Sequence, residues 1–284
     1  IKTSIDGAFV TTLSGKNTIT VWDAARFEKV DAYSFDASIR DYAFSTQQQE
    51  LSVVRANDQV GQSAEITCQV LIYDIANNRI IARKDVGDVR SVTYLEEKKS
   101  WIFGQLGREV KRQNHFDFYN SQLETIHPSI NLPEPELPFE LAVLPQLKLW
   151  VSLGIGLAVW SSDDLSLIQH LHCQNIPVDW DIWETTCFHT QPQQNLIAIG
   201  FDSLGYRKPG AKVCLVDAKS WQILGWFGNN TKNTYPLSVA VSNDGKRLAT
   251  VSGENQPLQI WNTQDQSLID EFDIPGITTV AFGS

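Results

Sequence analysis

Methionine is absent from the 284-residue sequence, and cysteine is scarce, at four. Cys68, Cys173, Cys187 and Cys214 stand far apart, with no C-x-x-C pair and no His in zinc spacing. That pattern argues against a disulfide framework or a zinc site as the basis of the fold. Each Cys lies in or beside an apolar run, so buried thiols are expected, as suits a reducing compartment such as the cytoplasm. Long apolar runs are missing too. None approaches the ~20 residues of a membrane helix, and no basic stretch leading into an apolar one opens the sequence. Basic charge is in deficit, with 23 Lys and Arg against 33 Asp and Glu, a formal charge of −10. A nucleic-acid surface needs clustered Lys and Arg. The nearest approach to one, Lys98, Lys99, Arg108, Lys111 and Arg112, reads as a solvated rim. Neither nucleic acid nor membrane is therefore expected as a partner.

Catalytic signatures are lacking as well. There is no G-x-S-x-G, no Gly-rich phosphate loop and no H-E-x-x-H, so nucleophilic, nucleotide-binding and zinc-peptidase chemistry have no anchor. His170 and His172 share a strand face, but such a pair is more often solvated than a metal ligand. No catalytic residue, cofactor or metal is expected. Helical periodicity is nearly absent, which sets aside helical bundles.

What is present is a series of short runs of Val, Ile, Leu, Phe, Tyr and Trp, bounded by Gly, Asn, Asp, Ser or Pro, the signature of strands. A three-residue pattern recurs six times: Val21-Trp22-Asp23, Ile72-Tyr73-Asp74, Phe118-Tyr119-Asn120, Val159-Trp160-Ser161, Leu215-Val216-Asp217 and Ile260-Trp261-Asn262. Its middle residues are 51, 46, 41, 56 and 45 apart. Each copy is followed by a short polar turn and a second run, then a third, and is preceded by a fourth. Four strands per unit of roughly 45 residues is the blade of a β-propeller. The expectation is all-β, a single domain over 1–284. The middle residue should pack between adjacent sheets. The Asp or Asn after it should close the turn to the outer strand by accepting backbone N–H groups two residues on. Residues 277–282 read as the inner strand of a further unit.

At these residues the chain resembles the WD40 repeat family. Trp22-Asp23 copies the family dipeptide and Trp261-Asn262 nearly does. The run Val239-Ala240-Val241-Ser242-Asn243-Asp244-Gly245-Lys246-Arg247-Leu248-Ala249-Thr250 looks like its inner hairpin, with an Asp-Gly turn, and Ser4-Ile5-Asp6-Gly7 looks like the same turn in the first unit. No unit carries the family's Gly-His dipeptide, so the repeats are degenerate. The resemblance implies a WD40-like propeller of four-stranded antiparallel blades. Six repeats and one more strand are visible, giving six or seven blades, of which seven is the commoner ring in the family. It also implies a non-enzymatic scaffold that binds a protein or peptide. A propeller hydrolase of the lactonase kind, with an axial ligand or metal, is the alternative.

Loop lengths say where a partner would meet it. The turns joining strands 1–2 and 3–4 are short throughout, whereas the long connections, 57–67, 131–138, 173–184, 202–211 and 229–235, all join strands 2–3 or 4–1. Insertions that collect on one face often mark a binding face. There stand Trp180, Trp183, Tyr206, Arg207 and Lys208, of the residue types that dominate interface hot spots. Alignment of the inner strands puts Arg40, Arg90, Glu140, Glu184, Leu237 and Thr278 at one level. The four charged ones could take a charged peptide side chain, or pair among themselves.

Overall fold

β-Branched and aromatic residues fit a pleated, half-buried surface, and the chain turns nearly every such run into a strand. The computed structural model describes the chain except at residues 1, 4–8, 46–48, 57–66, 108–112, 134–136, 155, 172–183, 203–211, 229–235, 254–255 and 283–284. It divides into two compact units, Ile1–Leu141 and Ala142–Ser284.

The first unit holds three antiparallel four-stranded sheets, each ordered as in the sequence. Blade 1 is β1 (Lys2–Thr3), β2 (Phe9–Ser14), β3 (Thr18–Asp23) and β4 (Glu28–Ser34). Blade 2 is β5 (Ile39–Ser45), β6 (Glu50–Ala56), β7 (Cys68–Asp74) and β8 (Arg79–Val86). Blade 3 is β9 (Asp88–Leu95), β10 (Ser100–Leu106), β11 (His115–Tyr119) and β12 (Thr125–Asn131). Consecutive sheets stack face to face. Ile19, Val21, Tyr33 and Phe35 of blade 1 and its exit pack on Ile39, Tyr42, Leu51, Val53 and Leu71 of blade 2. Val54, Cys68, Val70 and Ile72 of blade 2 pack on Val92, Tyr94, Trp101 and Phe103 of blade 3.

The second unit repeats the plan. Blade 4 is β13 (Glu140–Leu144, which crosses the division), β14 (Leu149–Leu153), β15 (Leu157–Ser161) and β16 (Leu167–Leu171). Blade 5 is β17 (Glu184–Gln191), β18 (Leu196–Asp202), β19 (Lys212–Asp217) and β20 (Ile223–Phe227). Blade 6 is β21 (Pro236–Val241), β22 (Arg247–Ser252), β23 (Leu258–Asn262) and β24 (Leu268–Phe272). Val151, Leu153, Leu157 and Val159 pack on Ile197, Ile199, Cys214 and Val216. Phe227 and Val213 pack on Val239, Val241, Leu248 and Trp261. Four-stranded sheets stacked in sequence order are the blades of a β-propeller. The middle strands are sandwiched, and the outer strand β24 is exposed along its length.

One sequence expectation fails. Residues 277–282 form no strand. A strand is defined by its ladder, and among the described residues nothing pairs with them. Local alternation makes a segment competent to pair without supplying the partner.

Candidate functional site

The two ends of the sheets are built differently. At one end every connection between strands 1–2 and 3–4 is four or five residues long. The turns to the outer strands are closed by the expected Asp or Asn in five blades, and by Ser161 in blade 4. Asp23 Oδ1 accepts the Ala25 and Arg26 N–H at 2.9 Å, and Asp74 Oδ1 accepts Asn77 at 3.0 Å. Asn120 does the same for Gln122, Ser161 for Asp163, Asp217 for Lys219 and Asn262 for Gln264. These donors hold the Asp217 carboxyl below its ordinary value, the Ser220 N–H most of all. One left-handed residue completes each turn: Phe27, Asn78, Leu123, Leu165, Trp221 and Gln266. At the other end the spacing runs from the single Gly87 between β8 and β9 to the stretch between Leu171 and Glu184.

The inner strands begin at this irregular end, and most begin with a β-bulge. The pairing register shifts around Arg40 in β5, Arg90 in β9, Thr186 in β17 and Leu237 in β21. A bulge leaves its extra residue out of the ladder and re-aims its side chain. In blades 2 and 3 that side chain is an arginine, and both arginines turn to one carboxylate. Arg40 Nη1 lies 2.5 Å from Asp88 Oδ1 and Arg90 Nη2 3.1 Å from Asp88 Oδ2. Asp88 is buried, whereas the arginines keep 20% and 36% of their side chains exposed. Beside them Lys2 Nζ lies 2.5 Å from Asp41 Oδ1 and 5.3 Å from the Tyr42 ring centre. Burial alone would lower the Lys2 pKa, but Asp41, with Glu140 behind it, raises it above the ordinary value. The first unit thus gathers Lys2, Arg40 and Arg90 with Asp41, Asp88 and Glu140 at the starts of its inner strands.

The residue after each bulge has a constant task. Asp41 Oδ2 accepts the Val92 N–H at 2.8 Å, and Ser91 Oγ donates to the Pro138 carbonyl at 2.7 Å. Cys187 Sγ donates to the Pro236 carbonyl at 3.7 Å, and Ser238 Oγ accepts the Val280 N–H at 3.2 Å. Each joins its blade to the inner strand, or the segment leading into it, that comes next.

Of the residues singled out in the sequence, Arg40 and Arg90 are brought together, and Glu140 acts on Lys2. Arg40 and Arg90 are ion-paired to Asp88, a residue the sequence reading did not select. The alignment of Glu184 with them is corrected. Glu184 pairs with Asp202, two residues before the bulge, so the equivalent of Arg40 in blade 5 is Thr186. The Glu184 side chain, like Trp180, Trp183, Tyr206, Arg207 and Lys208, lies outside the described residues.

The sequence reading also missed cross-strand polar rows at this end. Arg55 donates to Gln69 Oε1 at 2.7 Å and pairs with Asp36, and Gln69 Nε2 donates to Asp85 at 2.8 Å. In blade 3, Asp117 accepts from Gln105, Ser129 and Tyr119. The available signal was a polar residue at the same level in neighbouring strands, which needs the register to be seen. Burial pushes the Cys68 thiol above its ordinary pKa despite Arg40 nearby, the reverse of an activated nucleophile. Burial pulls His189 down to about 4, and its Nδ1 accepts the Val241 N–H at 3.2 Å, so the ring is neutral and occupied in packing. Among the described residues no three His, Cys, Asp or Glu side chains are placed to hold a metal.

Comparison with protein-family models finds no match for this sequence, and comparison with curated proteins finds none either.

Proposed function

We propose that the chain is a WD40-like propeller of six or seven blades, seven being favoured, acting in the cytoplasm as a non-enzymatic scaffold that captures a protein or peptide. The capture face is the irregular end of the sheets. The observation that carries this is the contrast between the ends: uniform capped turns on one side, and on the other the long connections together with Lys2, Arg40, Arg90 and Glu140. A scaffold varies the loops at its binding end and keeps the rest regular. Partly exposed arginines fixed by a buried carboxylate suit recognition of a carboxylate-bearing partner. Trp180, Trp183, Tyr206, Arg207, Lys208 and Glu184 serve as further contacts. The WD40 likeness is supported by one recurring bond. Trp22 Nε1 donates to Thr12, Trp160 Nε1 to Ser152 and Trp261 Nε1 to Thr250, each at 3.1 Å. In each case the acceptor lies two residues beyond the one opposite the Trp.

The test is capture of partners from the native source by the wild-type chain and by Trp183→Ala and Tyr206→Ala variants. Loss of one specific partner with a melting temperature within about 2 °C of wild type supports the reading. A large fall in melting temperature for both variants makes them core residues and removes the assignment.

A further inference from the structure

Residues 277–282 form no strand, yet they lie where an inner strand belongs. Their sequence, Ile277-Thr278-Thr279-Val280-Ala281-Phe282, repeats the apolar positions of Ile39-Arg40-Asp41-Tyr42-Ala43-Phe44 in β5. Their position is set by Ser238, the residue after the β21 bulge. Ser238 Oγ accepts the Val280 N–H at 3.2 Å and lies 3.5 Å from Thr279 Oγ1. Asp41, at the same place in β5, takes the amide of Val92 in β9. Ser91 and Cys187 hold the same address and bond the following inner segment too. Relative to β21, residues 277–282 therefore stand as β9 stands to β5. Among the described residues no strand pairs with their other edge.

The outer strand of blade 6 gives an independent sign. Lys29, Ile223 and Leu268 are the outer-strand residues opposite Trp22, Val216 and Trp261. Four residues beyond them stand Tyr33, Phe227 and Phe272. Tyr33 packs against Tyr73 of the next blade with ring centres 5.4 Å apart, and Phe227 against Trp261 of the next at 6.3 Å. They are 5% and 2% exposed, whereas Phe272 is 43% exposed, with Leu268, Ile269 and Ile274 open beside it. The face that blades 1 and 5 cover with the third-strand aromatic of the following blade is uncovered on blade 6.

We propose that residues 277–282 are an acceptor edge for an antiparallel β-strand. The occupant is the second strand of a further blade, whose third strand sets an aromatic residue on Phe272. Its second strand resembles β6, β10 and β22, which fill the same place beside β5, β9 and β21. A segment already held in extended register by one side chain offers free ladder groups to such a strand at little further ordering cost. The proposal rests on the seven-blade reading and adds the edge and the chemistry that would complete the blade.

The test extends the 284-residue chain after Ser284 with a copy of residues 243–252, the turn and second strand of blade 6. Amide hydrogen exchange is followed at 277–282. Exchange at least tenfold slower than in the unextended chain, restored when the added copy carries Pro in place of its Ala249, supports the edge. Unchanged rates overturn it, as does protection of 277–282 in the unextended chain equal to that of β21. Adding a copy of residues 258–272 as well tests the blade. If exchange stays slow but Phe272 remains as open to oxidative footprinting as before, the acceptor edge stands and the seventh blade falls.

Discussion

In the first unit the residue that follows an inner-strand bulge is Asp41 or Ser91, flanked by Arg40, Arg90, Lys2 and the buried Asp88. In the second unit the same position is held by Cys187 and Ser238, and the nearby seam contact is a neutral histidine accepting an amide from Val241. The backbone address is the same in both. The chemistry placed on it includes an ion-paired carboxylate, Asp41, in the first unit and is neutral at both described positions of the second. The bulge and the stacking of sheets define where a blade grips the next. Which side chain does the gripping is open to local variation, so the ionic seam is where a charged ligand would be felt. A neutral seam supports the fold without that option.

The comparison breaks most readily at Asp88. Asp88→Ala leaves Arg40 and Arg90 without their shared counter-charge, and is expected to lower stability by about 3 kcal/mol. Ser238→Ala at the neutral seam should cost about 1 kcal/mol or less. Urea unfolding of both variants checks this, and equal costs would erase the distinction. Next come two glycines that should respond alike, because their role is spatial. A Cβ on Gly104 would stand 2.5 Å from the Pro138 Cβ, and one on Gly200 2.8 Å from the Pro236 Cβ. Gly104→Ala and Gly200→Ala should each cost about 2 kcal/mol by overpacking. A smaller cost at one would mean that its seam yields more easily.

Acid separates the seams in sign. His189 is held down to about 4 from an ordinary value of 6.5, so below 6.5 the unfolded chain binds a proton that the folded chain refuses. Its contribution is complete above pH 6.5 and is lost as pH falls toward 4, by about 3 kcal/mol. Exchange of the Val241 amide should quicken over that window, and a His189→Gln variant should flatten the response. Lys2 acts at the other extreme. Its raised pKa gives a contribution that is full below about 10.5 and fades as pH climbs beyond it. The smallest expected effect is shared by both units. Trp22→Phe and Trp160→Phe each remove one Nε1 bond to a second-strand hydroxyl and should cost about 1 kcal/mol, visible as a modest drop in melting temperature.

Much of this architecture could be read locally. The pattern of an apolar, usually aromatic residue followed by Asp, Asn or Ser marked all six third strands and their capped turns, because such a cap needs only the residue and the N–H groups two or three positions on. Val239 to Thr250 became the hairpin expected of it, with Asp244 accepting the Lys246 N–H and Gly245 at a φ of +71°. The charged candidates were half legible. Arg40 and Arg90 were rightly placed on one level, but their partner Asp88 is 48 residues from Arg40, and no local pattern names it. Glu184 was placed two residues too early, because Thr186 is the residue that bulges and a bulge leaves no mark in the hydrophobic alternation by which it could be located.

By itself, then, the sequence determined the strands, their grouping in fours and the turns between them, since each depends on residues within reach of one another along the chain. Tertiary structure decided which residues bulge, which carboxylate two arginines share, and that residues 277–282 lie beside β21 without becoming a strand. Those outcomes depend on what sits across a sheet or on the next blade, and backbone groups can be paired only by a neighbour that is there.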